Sequence, residues 1–428
     1  MTTHDLLDAY DIPAKWGRVH LRWLSKRYAG GTPNTKNPEY WEEGTVPWLN
    51  SGAVNQGTIT EPSDYITEIA LEESSAKWIP QGSLVMALAG QGKTKATVGY
   101  LDIQTTGNQS LAAIVPVEIE GKFLYWWLSS QYLTLRNLSS QDGRDGLNLE
   151  MIGNIVCPVP PRKTQRRIAR FLDEKTARID ALIEKNRELL NRLAEKRQTL
   201  ITHAVTKGLR PDVPMKPSGI DWLGDIPAHW EMLPLRRVSR RVATGRTPAS
   251  ANADYFADGV LNWFTPGDFS TSIELHESTR KLTPRTIRDG VCTLYPAGTV
   301  FLVGIGATLG KVAVSTTAGS ANQQINTILP NKNNDPYFMA YFLHGFRAVV
   351  RTISNSNTLG ILNQDGTKSL VVLVPPISEQ KEVASELRDY DSRGAGVIEK
   401  IERSIELLQE YRAALITAAV TGQIEELV

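Results

Sequence analysis

A chain of 428 residues with 47 Lys and Arg against 46 Asp and Glu is no polycation, so any nucleic-acid contact must come from local patches or added subunits. Its 41% apolar composition, with 10 Trp, excludes a disordered chain and provides for about two to four folded domains. Two separated cysteines, Cys157 and Cys292, exclude a cysteine-based zinc cluster and read as buried hydrophobes of a reducing cytoplasm. The start MTTHDLLDAY has no basic-then-apolar pattern of a signal peptide, and no apolar run approaches the ~20 residues of a membrane span.

Residues 1–158 open on Ile12-Pro13-Ala14-Lys15-Trp16, followed by a basic cluster of Arg18, His20, Arg22, Lys26 and Arg27. Strand-like runs at 83–87 and 112–115 and a short aromatic helix at 123–128 are separated by Gly, Pro and Asn, which predicts a loop-rich α+β domain. An apolar run at 155–161 ends in a proline pair. The stretch 163–207 then continues without glycine or proline, long enough for a helical rod of about 65 Å. Its apolar residues recur at coiled-coil seam positions, including Ile183, Leu190, Leu193 and Leu200, with Asn186 and Arg197 as polar interruptions. Residues 209–225 read as a linker. A second globular part occupies 226–373, with strand-like runs at 299–303 and 325–329 and an aromatic helix at 337–342, and a second helix fills 374–428.

The second half is a copy of the first. At a fixed offset of 215, roughly 19 of 50 positions are identical between 159–208 and 374–423. The seam repeats as Ile398, Ile405, Leu408 and Leu415, and Arg412 falls opposite Arg197. Ahead of the helices, IPAKW answers IPAHW, GGTP answers GRTP, and Asn108-Gln109 answers Asn322-Gln323. The first helix has 12 Lys and Arg against 6 Asp and Glu over 163–207, the second 6 against 9 over 378–422. Opposite net charge favours the two helices pairing with each other, and connectivity leaves parallel and antiparallel packing equally open. Gly394 and Gly396 are expected to bend or fray the second helix.

This globular–helix–globular–helix plan resembles the specificity subunit of type I restriction–modification enzymes over essentially the whole chain. The IPAKW/IPAHW openings, the GGTP/GRTP loops, the Asn-Gln pairs and the Val-Pro-Pro lead into each long helix carry the resemblance. It implies two target-recognition domains on an antiparallel coiled coil and no catalysis or cofactor of the chain's own. It also implies double-stranded DNA as ligand and, as partners, two copies of a SAM-dependent adenine methyltransferase subunit with restriction subunits. The rival from another class is a coiled-coil scaffold with peptide-binding globular domains.

Phosphate contact needs Lys, Arg or small polar donors, whereas base reading needs amides, Arg and hydroxyls held on loops. Arg18, Arg22 and Lys26, with Arg236, Arg237 and Arg240 (next to Arg241) in the second copy, are the backbone candidates. Thr32, Asn34 and Lys36, with Thr247, Ser250 and Asn252, are base-reading candidates, because their loops correspond while their side chains differ. Asn50 and Ser51 against Thr265 and Asp268 behave alike. Gln91, Lys93 and Lys95 lie on a Gly-rich turn with Thr308 and Lys311 as counterparts, and the shared Asn-Gln pairs read as fold elements. That turn satisfies a permissive phosphate-loop pattern, but the residues after it read as strand, not as the helix a nucleotide site needs. The six histidines show no metal-ligand spacing.

Overall fold

A computed structural model describes residues 7, 9–90, 92–138, 146–249, 253–354 and 360–428. The chain divides into two compact units, residues 1–186 with 403–428 and residues 187–402. Each unit combines one globular part with segments of both long helices. The fold is α+β and duplicated.

In the first unit a five-stranded sheet runs in the order Ser25–Ala29, Leu111–Pro116, Leu84–Ala87, Val98–Leu101, Thr58–Ile59. The second unit repeats it as Ser239–Thr244, Ile325–Pro330, Val300–Val303, Val312–Ser315, Glu274–Leu275. In both, only the last pair is parallel. A three-stranded sheet accompanies each: Asp64–Ile66, Val46–Leu49, Thr106–Gly107, and Lys281–Leu282, Leu261–Phe264, Gly319–Ala321.

The central strands are unbroken apolar runs because both sheet faces are covered. Leu84 and Met86 enter one core and Val85 and Ala87 another, and Val300 and Leu302 are separated from Phe301 and Val303 in the same way. Behind one face packs an aromatic helix, Gly121–Ser130 in the first unit and Pro336–Gly345 in the second, burying Phe123, Trp126 and Trp127 or Phe338, Tyr341 and Phe342.

The first long helix spans Arg162–Lys207 and the second Ile377–Val420. Each begins beside its own globular part through a buried glutamine. Gln165 Oε1 accepts the Glu120 N–H at 2.8 Å, Gln380 Oε1 accepts the Asp335 N–H at 2.8 Å, and each Nε2 donates to the carbonyl of a preceding proline. Each ends on the other copy's globular part with a left-handed glycine, Gly208 (φ 77°) against Trp230 and Gly422 (φ 78°) against Pro13 and Trp16. The helices pair antiparallel: within the first unit Asp180 meets Arg412 and Asn186 meets Ser404, and within the second Arg197 meets Asp391.

Three expectations change. The second helix is continuous through Gly394 and Gly396, where a cost of about 1 kcal/mol per glycine is small beside the cooperativity of 44 helical residues. Leu200 is 37% exposed, and fully buried Ile201 takes the inward position. A straight helix drifts about 20° per heptad from a 3.5-residue repeat, so the stripe moves by one residue as the helix enters the globular core with Ala204 and Val205. Of the other seam residues Ile183 is buried, while Leu190, Leu193, Ile398, Ile405, Leu408 and Leu415 are half-buried. Finally, the linker carries a strand, Met215–Pro217, paired with Asp225–Pro227.

Candidate nucleic-acid interface

The GGTP and GRTP loops are pinned to the Asn-Gln turns by close backbone approach. A Cβ at Gly30 would collide with the Gly107 carbonyl, and one at Gly245 with the Asn322 carbonyl. Thr32 hydrogen-bonds Gln109, and Thr247 hydrogen-bonds Gln323 in the same manner. These two threonines therefore anchor their loops, and Asn34, Thr35 and Lys36 beyond them in the first copy are exposed. Asn34 Oδ1 accepts the Lys36 N–H at 3.1 Å, which shapes the loop. Ser250 and Asn252 lie outside the described residues, as does Gln91.

A second loop converges on the Gly-rich turn in each unit. In the first, Asn50 Oδ1 caps the short turn Ser51–Gln56 through Gly52 N–H at 2.8 Å, with Ser51 half-buried. Asn55 then reaches Thr94 at 3.5 Å. In the second, Asp268 accepts from Thr265 N–H (2.7 Å) and Oγ1 (2.8 Å) and from Thr279 N–H (2.8 Å) and Oγ1 (2.7 Å). Burial opposes its ionisation, yet the bonds from Thr279 and Thr265 hold the carboxyl below the usual carboxylate range. Thr265 and Asp268 are thus tied into the loop, and both remain half-buried.

Of the Gly-rich-turn lysines, Lys95 is buried and Lys311 half-buried. Lys95 is 7% exposed, because the turn closes back through the Ala96 N–H to the Ala87 carbonyl. Lys311 donates from Nζ to the Phe269 carbonyl at 2.7 Å, tying the turn to the Thr265 loop. Lys93 is exposed and Thr308 half-buried.

Arg18, Arg22 and Lys26 are exposed around the strand Gly17–His20 and the one-turn helix Leu21–Leu24, with Arg22 donating to Asn154 Oδ1 at 2.7 Å. Arg27 is turned inward onto the Leu21 and Ser25 carbonyls. Arg236, Arg237, Arg240 and Arg241 are all exposed, so the second copy has the denser cationic surface here.

Sequence reasoning missed the residues that back the Gly-rich turns. In the second unit Arg351 Nη2 donates to the Ala307 carbonyl at 2.8 Å and Arg347 Nε to the Leu309 carbonyl at 3.3 Å. In the first, Tyr132 donates to the Lys93 carbonyl at 3.1 Å and Arg136 to Tyr132 at 3.3 Å. The signal was present, since an offset of 215 places Arg136 opposite Arg351 and Tyr132 opposite Arg347. Among the described residues no His, Cys, Asp and Glu group is arranged to hold a metal ion, and no helix is long and apolar enough to cross a membrane.

Comparison with known proteins agrees with this duplicated architecture. The chain is 30% identical over 191 residues to the EcoR124I/EcoR124II specificity subunit of Escherichia coli, 43% of this chain and 46% of that relative. It is 22% identical over 287 residues to the MjaX specificity subunit of Methanocaldococcus jannaschii, described as putative, 66% of this chain and 62% of that relative. These matches thus span about half to three-fifths of the relatives' own lengths. In fold it is similar to a chain of a type I R-M system solved to explain complex assembly (TM-score 0.68, 19% identity, 96% of this chain and 99% of the other). It is likewise similar to the HsdS subunit of Thermoanaerobacter tengcongensis (TM-score 0.52, 17% identity, 97% and 99%). The family described as type I restriction modification DNA specificity domain matches twice, over residues 13–192 and 227–407, once per repeat, and the chain belongs to that family.

Proposed function

We propose that this chain is the DNA sequence-specificity subunit of a type I restriction–modification complex. One observation carries the reading: two family matches fall on two copies with the same sheet order, whose exposed loop-tip residues differ. A shared scaffold with unlike tips suits two unlike half-sites, and hence a bipartite, asymmetric target in double-stranded DNA. The boundaries we assign are 1–158 and 226–373 for the recognition domains and 159–208 and 374–428 for the helical regions, joined through 209–225. The paired helices would make DNA spacer length a geometric consequence, as half-site spacing is for other two-headed readers. Their outward faces would dock two copies of a SAM-dependent adenine methyltransferase subunit, with restriction subunits added, in the cytoplasm. The chain itself chooses the sequence and performs no chemistry.

In this reading Asn34, Lys36, Asn50, Ser51 and Lys93 lie toward the bases of one half-site. Arg18, Arg22 and Lys26, and Arg236, Arg237 and Arg240, lie toward phosphates. Co-expression with its methyltransferase subunit, followed by genome-wide mapping of methylated adenine, tests the proposal. A single split motif with a fixed, unspecified spacer is expected. Methylation independent of this chain, or an undivided motif, would overturn it.

A further inference from the structure

Each long helix carries one arginine where an apolar seam residue belongs, Arg197 in the first and Arg412 in the second. In the second unit, Arg197 Nε and Nη2 donate to Asp391 Oδ1 and Oδ2 at 2.6 and 2.7 Å, and both side chains are only 20% exposed. The same carboxylate accepts from the Tyr341 hydroxyl at 2.9 Å. Arg197 Nη1 lies 3.2 Å from His344 Nε2, one turn further along the aromatic helix. Burial first, then Arg197, pushes His344 down to about 4, so its neutral ring can accept that bond when Nδ1 carries the proton. One guanidinium therefore joins three helices: both members of the coiled coil and the core helix of the globular part.

The first unit has the same device from different parts. Arg412 pairs with Asp180 at 2.9 Å and sits 5.9 Å from the Trp126 ring, and Trp126 is the positional counterpart of Tyr341. The acid is not a counterpart, because Asp391 falls opposite Thr176, one turn before Asp180. This pair is looser, with side chains 32% and 51% exposed. A buried ion pair is poor value as stability, since apolar residues of similar volume often do as well or better. What a forked, bidentate pair supplies is a fixed angle.

We propose that Arg197 is a positioning residue that fixes the second recognition domain on the paired helices, and thereby the base-pair spacing the complex accepts. The inference rests on the reading above that two domains recognise a split DNA target. Arg412 does the same for the first domain, more weakly.

The test uses the full chain with its methyltransferase subunit, on DNA carrying both half-sites at the parental spacer and at spacers longer and shorter by one base pair. Arg197→Met should keep both half-sites yet methylate the neighbouring spacers at about a tenth of the parental rate or more, where the parent shows none. Arg197→Lys should fall between, and Arg412→Met should broaden the profile less. In the free chain, Arg197→Met should also speed amide exchange in Pro336–Gly345. A folded Arg197→Met chain with parental spacing and parental exchange overturns the proposal. If that variant does not fold, Tyr341→Phe removes only the hydroxyl bond to Asp391, and an unchanged spacer and exchange profile there is equally fatal. Should the parent methylate no split target, the DNA reading and the spacing role fall together, while the exchange arm still decides whether Arg197 fixes the domain.

Discussion

The two globular copies share the contacts that seat each long helix and each GGTP-type loop, and they differ in the contacts around the Gly-rich turn. Gln165 and Gln380 satisfy equivalent N–H groups with equivalent geometry, and Thr32–Gln109 recurs as Thr247–Gln323. The loop beside the three-stranded sheet has diverged from an Asn50 cap into the four-bond Thr265–Asp268–Thr279 cluster. Tyr132 behind one Gly-rich turn has become Arg347 behind the other. Buried backbone groups must be paired, at about 1–3 kcal/mol for each one left unpaired, which accounts for the matching roles of Gln165 and Gln380. Loop tips carry no such penalty and are where two copies can acquire different ligands.

The largest expected effect concerns the tryptophans on which the helices end. Trp230 is fully buried and donates from Nε1 to Glu379 Oε2 at 2.7 Å. Trp16 is 5% exposed, and its indole N–H has no acceptor among the described residues. Trp230→Ala should cost about 5 kcal/mol and Trp16→Ala about 3–4 kcal/mol, read from urea unfolding. Equal losses would show that the Glu379 bond adds nothing and that the two helix ends are energetically equivalent.

Acid should separate the units next. His344 is held near 4 by burial and by Arg197 and Arg347, against the opposing pull of Asp391, and its counterpart is Ser129. With a folded value below the unfolded one of about 6.5, the native state takes up the proton later than the unfolded chain. This contribution is complete above pH 6.5 and is lost as pH falls toward 4, costing the second unit about 2 kcal/mol between pH 7 and pH 5. Urea midpoints of the parent and of His344→Gln check it: the variant should lack that share of the acid sensitivity.

On DNA, Asn34→Ala should cost about 1–3 kcal/mol at one base position of one half-site and leave the other half-site untouched. Arg240→Ala should instead weaken all sequences alike and flatten the slope of log affinity on log salt by about 0.9. Methylation rates on single-base variants, and a salt titration of the assembled complex, distinguish the two. A global loss of preference from Asn34→Ala would remove that loop from the reading surface.

Much of this was legible because it depends on local pattern. An uninterrupted 163–207 stretch can hardly be anything but a long helix, and the offset of 215 exposed both copies before any contact was known. Antiparallel pairing was implied by the family resemblance, not by charge. What could not be read was direction in space. Lys95, Lys311 and Asp268 have the chemistry of DNA contacts, but turn closure buries Lys95, the Phe269 carbonyl engages Lys311 and the Thr279 hydroxyl engages Asp268, none of which the local pattern reveals. Leu200 and Ile201 show the same limit on a helix, where a drift of one position exchanges the buried residue.

The smallest effect tests the comparison between the two long helices themselves. The first has no glycine, whereas the second carries Gly394 and Gly396 in mid-helix, and a Cβ at either would meet no heavy atom within 4 Å. Both residues are already helical, so alanine requires no backbone change and mainly narrows the unfolded ensemble. Gly394→Ala and Gly396→Ala should each stabilise the chain by about 0.5–1 kcal/mol in urea unfolding, and together roughly additively. A gain in stability with unaltered methylation would mark the glycines as neutral drift in an exposed stretch. The same gain with slowed assembly would show that the second helix must yield at this point for the proposed docking of methyltransferase subunits, a compliance that the first helix does not share.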